Sequence, residues 1–432
     1  MMQFTETTFL STQNNQFLNT GFPAFPTAVT PPPPLPQPKP LENCMEQLLV
    51  HCANAIESND ATLSQQILWV LNNIAPPDGD SNQRLASAFL RALITRAATC
   101  GSSKLLSAVA AASSAAETIE THRFSVIDLA AFVDLTPWHR FGFTAANAAL
   151  LDAVLGFRVI HVVDLSLTHC MQIPTLIDSI AARRPEGLAL VKLTTVVGSG
   201  QGTPPLLDLS YEELGLKLSN FAMSRNITLE FTVVKSDPSD GFSSLIDHLR
   251  TTQRNQNEAL VVNCQMMLHR IPEETVSFCH RTMFLNSLRG LEPTIVILVD
   301  EDADFTSNNL VTRLRSAFNY LWIPFDTIDT FLPKGSKKRQ WYEAEICWKI
   351  ENVIAREGNR RVERQETKGT WGQRMMAANF HGVGFGEEAV KEVKGMLEEH
   401  AAGWGMKREE DDLVLTWKGH DVVFATAWKP AM

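Results

Sequence analysis

The stretch that decides the fold is Val159-Ile160-His161-Val162-Val163-Asp164-Leu165, followed by Gln172-Ile173-Pro174 and a helical pattern up to Arg184. Apolar residues surround one histidine and run into an aspartate. This reads as a buried strand of a parallel sheet that delivers a polar residue to the sheet's carboxyl edge. Open α/β sheets bind their ligands at that edge.

Downstream, strand and helix patterns alternate. Strands are expected at 159–164, 188–197, 227–234, 259–264 and 294–299 with helices between them, the rhythm of a doubly wound parallel sheet. Leu413–Trp417, a turn at Lys418-Gly419-His420-Asp421, and Val422–Trp428 read as a β-hairpin. A parallel sheet finished by an antiparallel hairpin resembles the layout of S-adenosylmethionine-dependent methyltransferases, which raises an enzyme reading.

Upstream, the pattern is helical. Met45, Leu48, Leu49, Cys52, Ala55 and Ile56 share one face, and Leu63, Ile67, Val70, Leu71 and Ile74 repeat it after Ser58-Asn59-Asp60. Asp80 with Gln83 is the signature of a capping box opening a third helix. No heptad survives the breaks, so these leucines read as core rather than a zipper. The Ala/Ser-rich stretch 105–118 is helix-competent, and Pro137 fits the first turn of a helix reaching Val154. Residues 1–40 are nearly uncharged and end in Pro31–Pro36. Such sequence cannot offset its chain entropy by burial and is expected to be a disordered arm, either a docking peptide or a tether.

The chain of 432 residues carries a formal net charge of -10, which argues against tight independent binding to phosphate backbones. Its seven cysteines (44, 52, 100, 170, 264, 279 and 347) form no C-x-x-C pair and read as free thiols, mostly buried. With no secretory signal and no apolar run of membrane length, a nuclear or cytosolic protein is expected.

Catalytic and cofactor signals are weak. The turn after the first strand, Leu165–Cys170, has no glycine, whereas cofactor-binding turns need one for close backbone approach. Gly198, Gly200 and Gly202 follow the second strand instead and run into Pro204-Pro205. His161 reads as a satisfied core histidine, and Asp164 as the better candidate for a role. Asp300, Glu301, Asp302 and Asp304 are either a cation site or a solvated loop. No catalytic, cofactor or metal set is assigned.

Taken together, the motifs resemble the GRAS family of plant transcriptional regulators, its scarecrow-like branch in particular, from about Leu41 to the C-terminus. Leu48-Leu49-Val50-His51-Cys52 looks like the opening of the family's first leucine-rich region. His161-Val162-Val163-Asp164-Leu165 is similar to its VHIID motif, with Gln172 and Pro174 matching Gln-Trp-Pro and Ile173 replacing the Trp. Asn352–Ala355 with Arg361-Val362-Glu363-Arg364 resembles the block after its PFYRE motif, and Trp371, Arg374, Trp417 and Trp428 its SAW region. Departures are Trp348-Lys349 in place of an Arg-Glu pair, Gln365 in place of a common His, and Asn379 in place of a usual Gly.

The resemblance implies a mainly helical cap at 41–125 with the leucine-rich region, on a Rossmann-like, methyltransferase-like core at 126–432 that carries cap insertions. VHIID-like residues fall at 159–174, PFYRE-like at 324–366 and SAW-like at 367–432. It implies a nuclear coactivator or corepressor that docks onto DNA-binding transcription factors, with homo- or heterodimers of related members and DNA contacted indirectly. The alternatives are a small-molecule methyltransferase and a direct DNA binder. Lys334-Gly335-Ser336-Lys337-Lys338-Arg339 is the one basic run and a candidate nuclear-import signal or phosphate contact. Arg361 and Arg364 with Glu363 and Glu366 are either ion pairs holding the helix after Pro333 against the core or a solvated mixed-charge face.

Overall fold

A computed structural model describes residues 40–99, 122–183, 190–198, 204–252, 257–272 and 279–431. The Pro-rich arm, the 105–118 stretch, Cys100, Gly200 and Gly202 lie outside the described residues.

Three helices open the described chain, Pro40–Glu57, Ala61–Ile74 and Ser81–Thr99. Their starts follow local chemistry. Asp60 accepts the Leu63 N–H at 3.0 Å. Asp80 and Gln83 bond each other's backbone N–H at 2.9 and 3.0 Å, the reciprocal pair expected of a capping box. Two later helices, Leu310–Phe331 and Lys337–Ala355, pack against these three and complete the cap.

The nine-stranded sheet gathers most of the chain's strands. In chain order the strands are β1 Arg123–Phe124, β2 Val159–Ser166, β3 Leu190–Val197, β4 Leu206–Leu207 and β5 Leu229–Lys235. Then come β6 Glu258–Gln265, β7 Ile295–Glu301, β8 Phe380–Gly382, β9 Trp404–Glu409, β10 Asp412–Trp417 and β11 His420–Pro430. The large sheet runs β5-β3-β2-β6-β7-β11-β10-β9, with β8 on β11, while β1 and β4 pair separately. From β5 to β7 all neighbours are parallel. Their order reverses between β2 and β6, the switch point at which such sheets hold ligands.

The expected hairpin forms as β10 and β11, but it is β11 that pairs antiparallel with β7. Four strands were not anticipated, the short β1, β4 and β8 and the six-residue β9. Along β2 the pleat sends Ile160 and Val162 to one hydrophobic core and Val163 and Leu165 to the other. Each such side chain contributes about 1.5–3 kcal/mol when fully buried. The helix Pro137–Ala153, capped by Thr136, packs on the β7 and β11 side of the sheet. Among the described cysteines only Cys52, Cys170 and Cys264 are buried, fewer than the composition suggested, because Cys44 and Cys279 fall on exposed positions.

Candidate functional site

At the switch point the carboxyl edge is filled with polar side chains that satisfy one another. Asp164 ends the buried part of β2 and is fully buried. Its Oδ1 accepts from Asn263 Nδ2 at 2.8 Å and its Oδ2 from Ser166 Oγ at 2.6 Å. Asn263 also donates to Gln172 Oε1 at 3.0 Å, and Gln172 donates onward to Asn147 Oδ1 at 2.7 Å. Gln265 bonds Gln172 and Asn263 from the end of β6. Burial pushes the Asp164 carboxyl above its ordinary range, while bonds from Ser166 and Asn263 pull it back.

This cluster occupies the place where a fold of this kind holds its nucleotide. The turn after β2 uses His169 and Cys170 at φ of +51° and +62°, conformations normally left to glycine. β3 ends in Val196-Val197, with no acid to hold a ribose. These residues do not fit an adenosyl group. His161 bonds Thr194 Oγ1 at 2.9 Å and lies 3.6 Å from Glu258, a satisfied core histidine.

A second buried cluster lies at the end of β7. Asp300 and Glu301 are neither a solvated loop nor a cation site. Both are buried, and cations from two segments meet them. His269 Nδ1 is 2.9 Å from both Asp300 oxygens, and its Nε2 is 3.3 Å from Glu363. Arg270 reaches Glu363 at 3.0 Å, and Lys349 reaches both Glu301 oxygens at 2.6 Å. Burial alone would lower the His269 pKa, but Asp300 and Glu363 outweigh it and hold the imidazole up at about 9. Burial would raise Glu363, yet Lys349, His269 and Arg270 keep it well below the usual carboxylate range. Three cations thus balance three carboxylates.

Among the described residues no group of His, Cys, Asp and Glu is placed to hold a metal ion, and no helix is long and apolar enough to cross a membrane.

Most of the remaining motif residues are buried too, with Arg374 half-buried. Arg361, Glu363, Arg364 and Glu366 are buried and form no solvated face, and Glu363 faces Lys349 of the helix after Pro333 at 3.5 Å. Arg361 donates to the Phe305 and Ser307 carbonyls and Arg364 to the Gly358 carbonyl. Glu366 instead clamps Arg374 at 2.6 and 2.7 Å and pairs with Arg281, whose guanidinium lies 5.4 Å above the Trp371 ring. Trp417 bonds Asp326 at 2.7 Å and Trp428 bonds Thr426 at 2.8 Å, both from core positions. Leu49 is buried, and Leu48 and Pro174 are half-buried. In the basic run Lys334, Lys337 and Lys338 are exposed, but Arg339 is buried in ion pairs with Asp329 and Glu343 and is no phosphate contact.

The sequence reading missed Asn147, Asn263, Gln265, His269 and Lys349. A signal existed for two of them. Asn263 and Gln265 interrupt an apolar strand at its carboxyl end in the way Asp164 does in β2. It also missed the cap's exposed apolar side. Trp69 is 72% exposed and Leu63 43%, on a helix whose opposite face, Ile67, Leu68 and Leu71, is buried.

The GRAS domain family profile matches residues 45–429. The chain belongs to the GRAS domain family. It is similar to Scarecrow-like protein 32 of Arabidopsis thaliana, 62% identical across 94% of this chain and 99% of that one. SHORT-ROOT of Arabidopsis thaliana is 31% identical across 89% of this chain and 73% of its own length. The crystal structure of SCL7 from Oryza sativa shares the fold, with a TM-score of 0.70 at 22% identity over 89% of this chain and 99% of that one. The GRAS relatives are plant regulators, and the match to Scarecrow-like protein 32 supports the scarecrow-like branch and a role in transcriptional regulation. For this GRAS chain, the fold holds most of its motif residues inside.

Proposed function

We propose that the chain is a nuclear, non-enzymatic transcriptional regulator that docks onto DNA-binding transcription factors through its helical cap. The observation that carries this reading is Trp69. An indole exposed on a packed helix, flanked by Leu63 and Val70, has the character of an interface anchor. The net charge of -10 and the burial of Arg339 both favour protein docking over direct phosphate contact. The filled switch point favours a binding role over methyl transfer.

The test uses the full chain tethered to a heterologous DNA-binding domain beside a reporter gene. Reporter output should change, and Trp69→Ala should remove most of the change at equal protein level. Retardation of duplex DNA by the purified chain alone, with a steep loss in salt, would favour direct binding through Lys334, Lys337 and Lys338 instead.

A further inference from the structure

Between the sheet's carboxyl edge and the cap lies a cavity of about 80 Å³. Phe132, Trp138, Tyr342 and Trp348 supply aromatic walls, with Leu167 and Met266 below. That is space for roughly half a dozen waters, or for one small planar molecule. At one end stand the charges of Arg270, Lys349, Glu301 and Glu363, already paired among themselves.

Two further lining groups are different. His139 and Glu345 make no hydrogen bond to any described residue, although both face the cavity. Polar groups in a largely apolar pocket fix the orientation of a ligand. We propose that this cavity is a binding site for a small neutral molecule with a flat apolar body and one group that both donates and accepts hydrogen bonds, of the phenol or lactam type.

Charge decides the class. Burial pushes Glu345 up to about 8, against the pull of Arg270 and Lys349, so it is an un-ionised acid at neutral pH. Burial, with Lys349 adding to it, pushes His139 down to about 4, so it is a neutral imidazole. An ammonium ligand would meet Lys349 and Arg270, and a carboxylate ligand would meet Glu301 and Glu363. A neutral molecule avoids both conflicts and brings hydrogen-bonding capacity to the walls that His139 and Glu345 line. Its place between the helix Lys337–Ala355 and the sheet makes it a bridge from cap to core.

The full chain, labelled with 5-fluorotryptophan, is titrated with phenol and with 2-pyrrolidone, and benzoate and benzylamine serve as charged controls. The ¹⁹F signal of Trp348, assigned with Trp348→Phe, should shift saturably with a neutral probe and not with the charged ones. Glu345→Ala and His139→Ala should each weaken binding by about five- to tenfold, the loss of one hydrogen bond. Leu167→Phe should abolish it by filling the space, and if that variant does not fold the two alanine variants decide. No saturable shift with either neutral probe overturns the proposal. So does equal binding of benzoate or benzylamine, or unchanged affinity in both alanine variants. Reporter output plays no part in these readouts, so the docking reading stands or falls separately.

Discussion

Lys349 places its ammonium 2.6 Å from both carboxylate oxygens of Glu301, joining a cap helix to the end of β7. Glu363 stands 3.5 Å away on the same ammonium. Lys349 occupies one of the positions where the family pattern has an Arg-Glu pair, so this chain closes its cap by a different charge arrangement. Lys349→Met leaves buried carboxylates uncompensated and should cost about 3–5 kcal/mol in urea unfolding. Adding Glu301→Gln should recover part of that loss. A double variant that loses the sum of the two single-variant losses would show that the two residues are not coupled.

Gln172 links Asn147 to Asn263. Gln172→Leu strands the buried groups on both sides and should destabilise by about 2–4 kcal/mol. Reporter output per folded molecule should stay unchanged, because the cluster is internal. A loss of output with no change in stability would make this motif a contact surface after all.

The His269 imidazole is held up at about 9 in the folded chain, above its ordinary 6.5. Its contribution is therefore complete below about pH 6.5 and disappears as pH rises through about 9. Stability from this source should fall by about 3 kcal/mol over that window. His269→Gln should flatten the alkaline limb relative to the parent chain, measured as urea midpoints from pH 6 to 9.5. Glu345, raised to about 8, also loses stabilisation as pH rises, but that slope persists in the His269 variant.

Trp69 and Trp371 make a paired test. Trp371 is buried beneath Arg281, so Trp371→Ala should cost about 3–5 kcal/mol. Trp69→Ala, at the surface, should stay within about 0.5 kcal/mol of the parent while lowering partner affinity by tenfold or more. A large stability loss from Trp69→Ala would mean that its exposed ring is already covered within the chain.

Backbone pattern was the legible part of this sequence. The apolar run at 159–165 led to the sheet, and the β-branched runs after it led to four more strands, because periodicity reports burial directly. The capping pair Asp80 and Gln83 acts locally, so its consequence could be read within a few positions. Partner choice among polar residues was not legible. Glu363 meets His269 across 94 positions and Glu301 meets Lys349 across 48, and nothing near either carboxylate names its cation. Asp300-Glu301 looks solvated until the fold supplies those cations, while Asp304 in the same run stays exposed. Asn379 shows the converse. It adopts φ of +60°, so the residue that replaces the family's usual Gly keeps the conformation that Gly would provide.

The register of β11 on β7, Val423 opposite Glu301 through Trp428 opposite Val296, has a consequence for damaged messages. Translation that halts before residue 420 yields a polypeptide whose β7 has a raw, valine-rich margin and nothing to seal it. Such fragments should clump and be degraded rather than compete with the intact regulator, so early stop alleles of this gene should behave as recessive losses.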